Sequence, residues 1–255
     1  MTDLFDLTGR TALVTGSSRG IGLTLAHGLA ASGARVVLHG RDQATLDAAR
    51  EAVLASSDVE VFTATFDVTD RDAVEAGVTR IEREFGDIDI LVNNAGIQRR
   101  APFTEFSADD WNDLVATNLS SAFFVGQRIA RGMVSRGSGK IVNIGSVQSQ
   151  LGRPGIAAYA ATKGGIAMLT KGMCADLGPS GIQVNALAPG YFATELTQAL
   201  VDDAAFSEWV RTRTPAGRWG DTQDLVGTLV FLSSRASDFV NGQIVYVDGG
   251  MTAVV

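Results

Sequence analysis

Short apolar stretches rich in β-branched residues alternate with longer amphipathic stretches along the whole chain. The short stretches, which predict β-strands, cover residues 11–15, 35–39, 59–66, 88–93, 140–144, 182–188 and 244–248. Most of them lack an alternation of polar and apolar residues, as expected of strands that are covered on both faces. Between them, apolar residues recur at helical spacing. These stretches predict helices over residues 21–32, 43–56, 71–85, 108–135, 155–177 and 222–233.

Repeated strand–helix order predicts a parallel sheet with helices on both faces, because parallel strands need a long crossover between them. No linker, repeat or low-complexity segment interrupts the pattern. The predicted fold class is therefore α/β, a single doubly wound Rossmann-type domain over residues 1–255 with a seven-stranded parallel sheet. Ligands of such sheets bind outside the carboxyl ends of the strands. Residues that directly follow the predicted strands are therefore the candidates for function.

Composition excludes several classes of protein. The net charge of −7 argues against a general affinity for nucleic acid or for an anionic membrane. Cys174 is the single cysteine, so the chain has no internal disulfide, and no Cys/His spacing resembles a metal site. The opening MTDLFDLTGR has acids where a signal peptide needs basic residues. We expect a cytoplasmic protein with no resident metal.

A glycine-rich loop, TGSSRGIG, follows the first predicted strand. A tight turn is possible at Gly16, and Gly20 and Gly22 remove side chains where a diphosphate approaches the start of a helix. The spacing is GxxxGxG rather than GxGxxG, so the general dinucleotide fingerprint matches only loosely, and a turn without ligand is the alternative. The position between strand and helix favours nucleotide binding. The predicted cofactor residues here are Gly16, Ser18, Arg19, Gly20, Ile21 and Gly22.

The sequence HGRD after the second strand bears on the choice of cofactor. NAD sites place an acid here to bond the ribose 2′-hydroxyl. This chain instead has Gly40 followed by Arg41, and Arg19 in the glycine loop adds a second cation. Guanidinium groups suit a 2′-phosphate better than a hydroxyl. Asp42 is the counterargument, but we expect it to cap the next helix. NADP(H) is therefore favoured over NAD.

Two further strand ends contribute candidate cofactor contacts. After the third strand, Asp67 and Val68 can bracket an adenine amino group. After the fourth strand, the small residues of NNAG permit close approach of a flat ring or a ribose, and its amides can lock strands or bond ribose. A simple turn is the alternative. The candidates in this motif are Asn94, Ala95 and Gly96.

The stretch from Ser146 to Lys163 carries a hydroxyl, a phenol and an ammonium group. Tyr159 and Lys163 are four residues apart and share one face of a helix. A neighbouring ammonium favours phenolate and lowers a tyrosine pKa that is ordinarily about 10. Such a phenol can exchange a proton with a substrate oxygen near neutral pH. Taken alone, the pairing can also be a coincidence.

Six motifs, taken together and in this order, resemble those of the short-chain dehydrogenase/reductases. They are TGSSRGIG, NNAG, TNLS, the serine at the end of the fifth strand, YAATK and PGYFAT, and the likeness runs from Thr8 to the closing VDGG at residues 247–250. The resemblance implies that Tyr159 is the general acid/base. One departure is Gly145, where many members have serine or alanine.

The resemblance also implies roles for the residues around this tyrosine. Lys163 would lower the tyrosine pKa and bond the nicotinamide ribose, and Ser146 would donate a hydrogen bond to the substrate oxygen. Asn118 would hold a water of a proton relay and kink its helix. The segment that receives the nicotinamide carboxamide would include Pro189, Gly190 and Thr194.

Cationic and amide side chains near the expected substrate mouth indicate an anionic, hydroxylated substrate. Surface or subunit contacts are the alternative for each arginine. The tentative substrate residues, beside Ser146 and Tyr159, are Arg99, Arg100, Gln148 and Arg153.

Four loops are similar to those of the gluconate 5-dehydrogenase branch of the family: NNAGIQRRAPF, SVQSQLGRPGIAAY, APGYFATELTQALV and RTPAGRWG. This likeness implies NADP(H)-dependent interconversion of D-gluconate and 5-keto-D-gluconate. A 3-oxoacyl-[acyl-carrier-protein] reductase, a 2-deoxy-gluconate 3-dehydrogenase type, another polyol or sugar-acid dehydrogenase, and a non-catalytic NADPH-binding regulator remain open. The resemblance further implies a homotetramer and a substrate lid at residues 191–217. Trp209 and Trp219 either line the pocket or pack beneath the lid.

Overall fold

Residues 4–255 are described by the computed structural model, apart from the side chain of Leu196. Within them, seven strands form one sheet in the order β3-β2-β1-β4-β5-β6-β7, and the neighbouring strands are parallel. This confirms the predicted fold class. The strands are β1 Thr11–Val14, β2 Arg35–Gly40, β3 Val61–Thr65, β4 Ile90–Asn93, β5 Gly139–Ile144, β6 Ile182–Pro189 and β7 Ile244–Val247.

The strand order reverses at β1. The chain first builds outward through β2 and β3, then returns to the other side of β1 with β4 and continues to β7. Ala12 of β1 therefore lies opposite both Val36 of β2 and Ile90 of β4. Neighbouring crossovers leave β1 and β4 in opposite directions, which opens a crevice outside their carboxyl ends.

Both faces of the sheet are covered. Ala12 and Val14 belong to a buried cluster that includes Leu29 of the first helix, whereas Leu13 belongs to the opposite cluster with Ile81. Successive side chains of one strand thus enter different cores, which explains the absence of polar alternation in the sequence. The helices are α1 Gly20–Ala31, α2 Gln43–Leu54, α3 Arg71–Glu84, α4 Ala108–Val115, α5 Ser121–Arg136, α6 Ala157–Leu177, α7 Gln198–Val201, α8 Ala204–Arg213 and α9 Val226–Ser233.

The helix predicted over residues 108–135 is interrupted. A π-helical turn, Ala116–Ser120, separates α4 from α5 and contains Asn118. The side-chain amide of Asn118 accepts from the backbone N–H of Ile97 at 2.8 Å and donates to the Ile97 carbonyl at 2.9 Å. The interruption therefore coincides with a tertiary contact to the loop after β4, which helical periodicity does not reveal.

Residues 191–217 contain two helices that the sequence pattern does not predict. The short helix α7 is followed by α8, whose first turn is capped by Asp203 through bonds of 3.0 Å to the N–H groups of Ala205 and Phe206. An aspartate also caps the start of α2, where the Asp42 carboxylate accepts a hydrogen bond from the N–H of Thr45 at 2.8 Å. This is the capping role expected of Asp42.

Candidate active site

The glycine loop after β1 is shaped to receive an anion. Gly16 has φ +64, and a Cβ on Gly22 would lie 2.3 Å from the Gly16 carbonyl oxygen, so a side chain at Gly22 is excluded. The residue before α1, Arg19, makes no side-chain capping bond, in contrast to the caps of α2 and α3. The first N–H groups of α1 are therefore available to a ligand. This geometry fits a cofactor diphosphate.

Asn94 holds this loop against the end of β4. Its side-chain amide donates to the carbonyl oxygens of Thr15 at 2.8 Å and Gly16 at 3.0 Å. The Thr15 hydroxyl in turn accepts from the N–H groups of Asn94 at 2.9 Å and Ala95 at 3.0 Å. Of the two roles left open for the Asn94 amide, the described contacts are those of a strand lock. The sequence reasoning missed Thr15, since a strand-end threonine is common.

His39 is a second residue of this region that no sequence motif indicates. Its Nδ1 accepts from the N–H of Gly16 at 3.1 Å, and its Nε2 lies 3.0 Å from the carbonyl oxygen of Phe66. Burial lowers the pKa of His39 to about 4, so the imidazole is neutral at ordinary pH. A lone histidine in HGRD gives no sequence signal of these contacts.

The two arginines predicted to bind a 2′-phosphate lie exposed at the same edge of the sheet. Arg19 lies 3.8 Å from the Glu195 carboxylate. Asp67 accepts from both the N–H and the hydroxyl of Thr69, and these bonds are the main reason that its pKa is lowered, with the charge of Arg41 adding to them. Arg41 therefore lies close to the predicted adenine site. The remaining cofactor candidates, Ser18, Ile21, Val68, Ala95 and Gly96, lie on these same loops.

Lys163 joins α6 to the end of β5. Its ammonium group donates to the Ile144 carbonyl oxygen at 2.7 Å and lies 5.7 Å from the ring centroid of Tyr159. Ser149, which the sequence reasoning missed, adds a second link: its hydroxyl donates to the Lys163 carbonyl at 2.8 Å and accepts from the Ser146 N–H at 3.2 Å. Ser146, Tyr159 and Lys163 are thus brought together.

The expected lowering of the phenol pKa is wrong for the described chain. Burial raises the pKa of Tyr159, and this outweighs the lowering by the nearby Ser146 hydroxyl and by the charge of Arg100. Burial also lowers the pKa of Lys163 from 10.5 to about 8. The sequence shows that phenol and amine share a face, but it does not show how far water is excluded from them.

The guanidinium groups of Arg100 and Arg153 lie close to each other, and Arg100 lies near Tyr159. Burial and the charge of Arg153 both lower the pKa of Arg100, so the two cations are near enough to repel each other. Neither forms an ion pair within residues 4–255. Arg99 differs, because its Nε lies 3.1 Å from the Asp110 carboxylate. Arg99 is therefore paired with a residue of α4, and its contact with a substrate stays a prediction.

Three buried polar atoms at this mouth have no hydrogen-bond partner among the described residues. They are the Gln148 Oε1, the Arg153 Nε and the Tyr191 hydroxyl oxygen. Burial raises the pKa of Tyr191, and the charge of Arg153 and its approach to the Tyr191 hydroxyl partly offset this. The approach lacks the geometry of a hydrogen bond. Buried polar groups are normally satisfied, so such a cluster is typical of a site for a polar ligand. Tyr191 carried no sequence signal beyond its place in PGYFAT.

Aromatic side chains support the Tyr191 ring. It meets the rings of Phe206, Trp209 and Trp219 edge to face, with centroids 5.7, 5.6 and 5.8 Å away. The indole N–H of Trp219 donates to the Ser207 hydroxyl at 3.1 Å. Of the two interpretations of Trp209 and Trp219, these contacts match packing against Tyr191 of the segment 191–217.

The segment after β6 is fixed by its backbone. The Gly190 N–H donates to the Val247 carbonyl at 3.0 Å, and a Cβ on Gly190 would lie 2.8 Å from the Asp248 Cα. The Thr194 hydroxyl lies 3.0 Å from that of Thr197 at the start of a short turn. Contact of Pro189, Gly190 and Thr194 with a nicotinamide stays a prediction.

Comparison with known proteins decides the family. The protein-family model described as enoyl-(acyl carrier protein) reductase matches residues 16–252. Gluconate 5-dehydrogenase of Gluconobacter oxydans (strain 621H) is 63% identical over 250 residues, which cover 98% of this chain and 97% of that protein. The chain belongs to the short-chain dehydrogenase/reductase family. It is accordingly an oxidoreductase that acts on CH–OH groups.

Two further relatives of this family member align over its whole length. The 5-keto-D-gluconate 5-reductase of Escherichia coli (strain K12) is 52% identical over 257 residues, covering 100% of both chains. A crystal structure of a gluconate 5-dehydrogenase from Burkholderia cenocepacia J2315, in complex with NADP and tartrate, matches with a TM-score of 0.97. Its sequence is 56% identical, and the match covers 100% of this chain and 99% of that one.

Two features bear on the environment of this dehydrogenase/reductase. Within residues 4–255, no helix is long and apolar enough to cross a membrane. The same residues contain no group of three or more histidine, cysteine, aspartate or glutamate side chains that could hold a metal ion.

We predict that Lys163→Met changes how stability depends on pH. Below pH about 8, the folded chain bears the full cost of a buried ammonium. Between pH 8 and 10.5 the unfolded chain binds more protons, so the wild-type free energy of unfolding rises with pH. Relative to the variant, which lacks this titration, the gain should approach about 3 kcal/mol.

Urea unfolding across this pH range measures the difference between wild type and Lys163→Met. Lys171→Met, at an exposed lysine of the same helix, is the matched control, and its difference from wild type should not rise with pH. A difference between wild type and Lys163→Met that does not vary with pH would contradict the buried-amine assignment.

Proposed function

We propose that this protein interconverts D-gluconate and 5-keto-D-gluconate with NADP(H) as the hydride carrier. The observation that carries the substrate class is the pair Arg100 and Arg153 beside Tyr159, with no acidic partner among the described residues. A carboxylate would supply the missing countercharge. Three relatives named for gluconate or its 5-keto form, one crystallised with NADP and tartrate, support the same substrate class.

The glycine loop and its neighbours would hold the cofactor. The uncapped start of α1 suits the diphosphate, and Arg19 and Arg41 suit a 2′-phosphate because Gly40 stands where an acid would bond a 2′-hydroxyl. Both arginines are exposed and can reach a ligand. NADP is therefore favoured over NAD. When bound, NADPH supplies the hydride that reduces the substrate carbonyl carbon.

Tyr159 would supply the proton in the direction of reduction. As the carbonyl carbon of 5-keto-D-gluconate gains a hydride, its oxygen gains the phenol proton, which yields the alcohol and a phenolate. Burial raises the pKa of Tyr159, so the protonated phenol needed for this step predominates at neutral pH. The Ser146 hydroxyl and the Arg100 charge both lower that pKa and thus stabilise the phenolate that forms. Oxidation of gluconate is the reverse.

Lys163 would position this tyrosine, and Asn118 would take part in returning a proton to it. The ammonium of Lys163 is held by Ile144 and faces the Tyr159 ring, from where it would bond the nicotinamide ribose. Asn118, buried in the π-helical turn, is directed at Ile97 and the Thr162 hydroxyl, which accepts from its amide at 3.4 Å. We assign Asn118 to the proton relay through water.

The polar atoms at the mouth of the site would recognise the substrate through ion pairs and hydrogen bonds. We place the gluconate carboxylate between Arg100 and Arg153. The Gln148 Oε1 and the Tyr191 hydroxyl, both buried without partners among the described residues, would bond the sugar hydroxyls. An acyl chain lacks these hydroxyls and would leave both atoms unpaired, at a cost of about 1–3 kcal/mol each. This disfavours a 3-oxoacyl thioester.

Residues 191–217 would close over the substrate as a lid within a single domain that spans residues 1–255. The Arg153 guanidinium lies 5.4 Å from the ring centroid of Phe206 in α8, so an anion at Arg153 sits next to the lid. Trp209 and Trp219 would stabilise the closed lid by packing on Tyr191.

We further propose that the protein is a cytoplasmic homotetramer. Exposed apolar side chains on α4, α5 and α6 support one subunit interface: Trp111, Phe123 and Met168. The partly exposed edge strand β7 supports another. Light scattering tests the assembly, and a mass of a single chain would contradict it.

Assay of the purified chain with NADPH and 5-keto-D-gluconate, and with NADP and D-gluconate, tests the proposed function. We expect turnover in both directions, and NADP to be preferred to NAD. Tyr159→Phe should lower kcat by roughly 10²–10⁴ without loss of NADPH binding, because only the proton donor is removed. Turnover of a 3-oxoacyl thioester but of neither sugar acid would overturn the substrate. Binding of NADPH without turnover of any carbonyl compound would favour a regulator.

Arg153→Met should raise the KM for 5-keto-D-gluconate by roughly 10–100-fold, because one charge-assisted bond to the carboxylate is lost. With a neutral ketose such as D-fructose, the weaker activity should change little. Arg99→Met is the matched control, since Arg99 is paired with Asp110. Equal losses in the two variants, or equal losses with the charged and neutral substrates, would remove Arg153 from carboxylate binding.

A further inference from the structure

We propose that His39 is a positioning residue for NADP(H), and that its bond to Gly16 sets the affinity for the cofactor. The inference rests on the proposed cofactor but not on the proposed sugar acid. His39 lies at the end of β2 and contacts residues that follow β1 and β3. One imidazole thereby connects the three strand ends at which the cofactor would be held.

The two ring nitrogens of His39 have different partners. A backbone N–H can only donate, so the 3.1 Å contact with Gly16 requires an unprotonated Nδ1. The proton is then on Nε2, which donates to the Phe66 carbonyl at 3.0 Å. This neutral tautomer satisfies both nitrogens and persists at neutral pH, because burial lowers the pKa of His39 to about 4.

The backbone of His39 fixes the same region. Its N–H donates to the Ser17 hydroxyl at 2.9 Å, and its carbonyl accepts from the Ser17 N–H at 2.9 Å. Ser17 in turn donates to the Val14 carbonyl at 2.7 Å. The ring also packs on Phe66 with centroids 4.1 Å apart. The start of the glycine loop is therefore held against β2 at several points.

The imidazole bonds are separate from the sheet ladder. His39 pairs through its backbone with Ala64 of β3, and Gly40 pairs with Thr65, whatever the side chain at His39 is. By contrast, Gly16 begins the anion-binding loop with φ +64, and Phe66 directly precedes Asp67. Loss of a ring bond should therefore displace the cofactor loops more than the sheet.

Two substitutions separate the two bonds. In His39→Asn, the amide oxygen takes the place of Nδ1 and can still accept from Gly16, whereas the bond to Phe66 is lost. In His39→Gln, the amide nitrogen takes the place of Nε2 and can still donate to Phe66, but the Gly16 N–H loses its acceptor. Each variant forfeits one ring bond and the aromatic packing on Phe66, so their effects on stability should be similar.

Fluorescence titration of the full-length protein gives Kd for NADPH, and thermal unfolding gives Tm. We expect His39→Asn to bind within about threefold of wild type and His39→Gln to bind about tenfold or more weakly, with similar Tm values. At saturating NADPH, kcat should be nearly unchanged in both. His27→Asn and His27→Gln, at the chain's other histidine, should leave Kd unchanged.

Equal Kd values for His39→Asn and His39→Gln, or losses of affinity that follow the losses in Tm, would overturn the proposal. If His39→Gln does not fold, a loss of affinity beyond about tenfold in His39→Asn, which keeps the acceptor for Gly16, still contradicts the proposal. A wild-type protein that does not bind NADPH would instead refute the proposed cofactor, which is a separate outcome.

Discussion

A buried hydrogen bond from Lys163 to the Ile144 carbonyl joins the two elements that carry the proton-transfer groups. β5 ends at Ile144 and leads directly to Ser146, while α6 carries Tyr159 and Lys163. A buried ammonium is costly without a partner, so this bond favours one position of α6 over the strand end. Ser149 reinforces it by bonding the Lys163 carbonyl. The phenol consequently lies where β5 ends, at the edge of the sheet that also holds the glycine loop.

The two sides of the site differ in how their polar groups are satisfied. On the cofactor side, Thr15, His39 and Asn94 bond loop to loop, so the cradle is formed by the chain itself. On the substrate side, Arg153 and Tyr191 keep buried polar atoms without partners among the described residues. Such atoms favour a ligand that supplies both charge and hydroxyl groups. An internally bonded cofactor loop beside buried polar atoms without partners suits an enzyme that binds one cofactor and selects its substrate by polar contacts.

The sequence was sufficient for the strands, the parallel sheet and the family, because the buried strands and the strand-end motifs are local signals. It was insufficient wherever distant contacts decide the outcome. The π-helical turn coincides with the bond between Asn118 and Ile97, and Arg99 forms an ion pair with Asp110 of α4. Whether the pKa of Tyr159 is raised or lowered depends on burial, and spacing along a helix does not reveal burial. His39 contacts two other strand ends, which its place in HGRD does not reveal.

In the proposed reaction, hydride moves between the cofactor and carbon 5 of gluconate, and Tyr159 exchanges the proton. Mass spectrometry of NADPH formed from specifically deuterated D-gluconate measures this most directly. Deuterium at carbon 5 should appear in the NADPH, which becomes one mass unit heavier, whereas deuterium at carbon 2 or carbon 3 should not. Transfer from either of those other carbons, or NADPH without deuterium from the carbon 5 substrate, would contradict the proposed reaction.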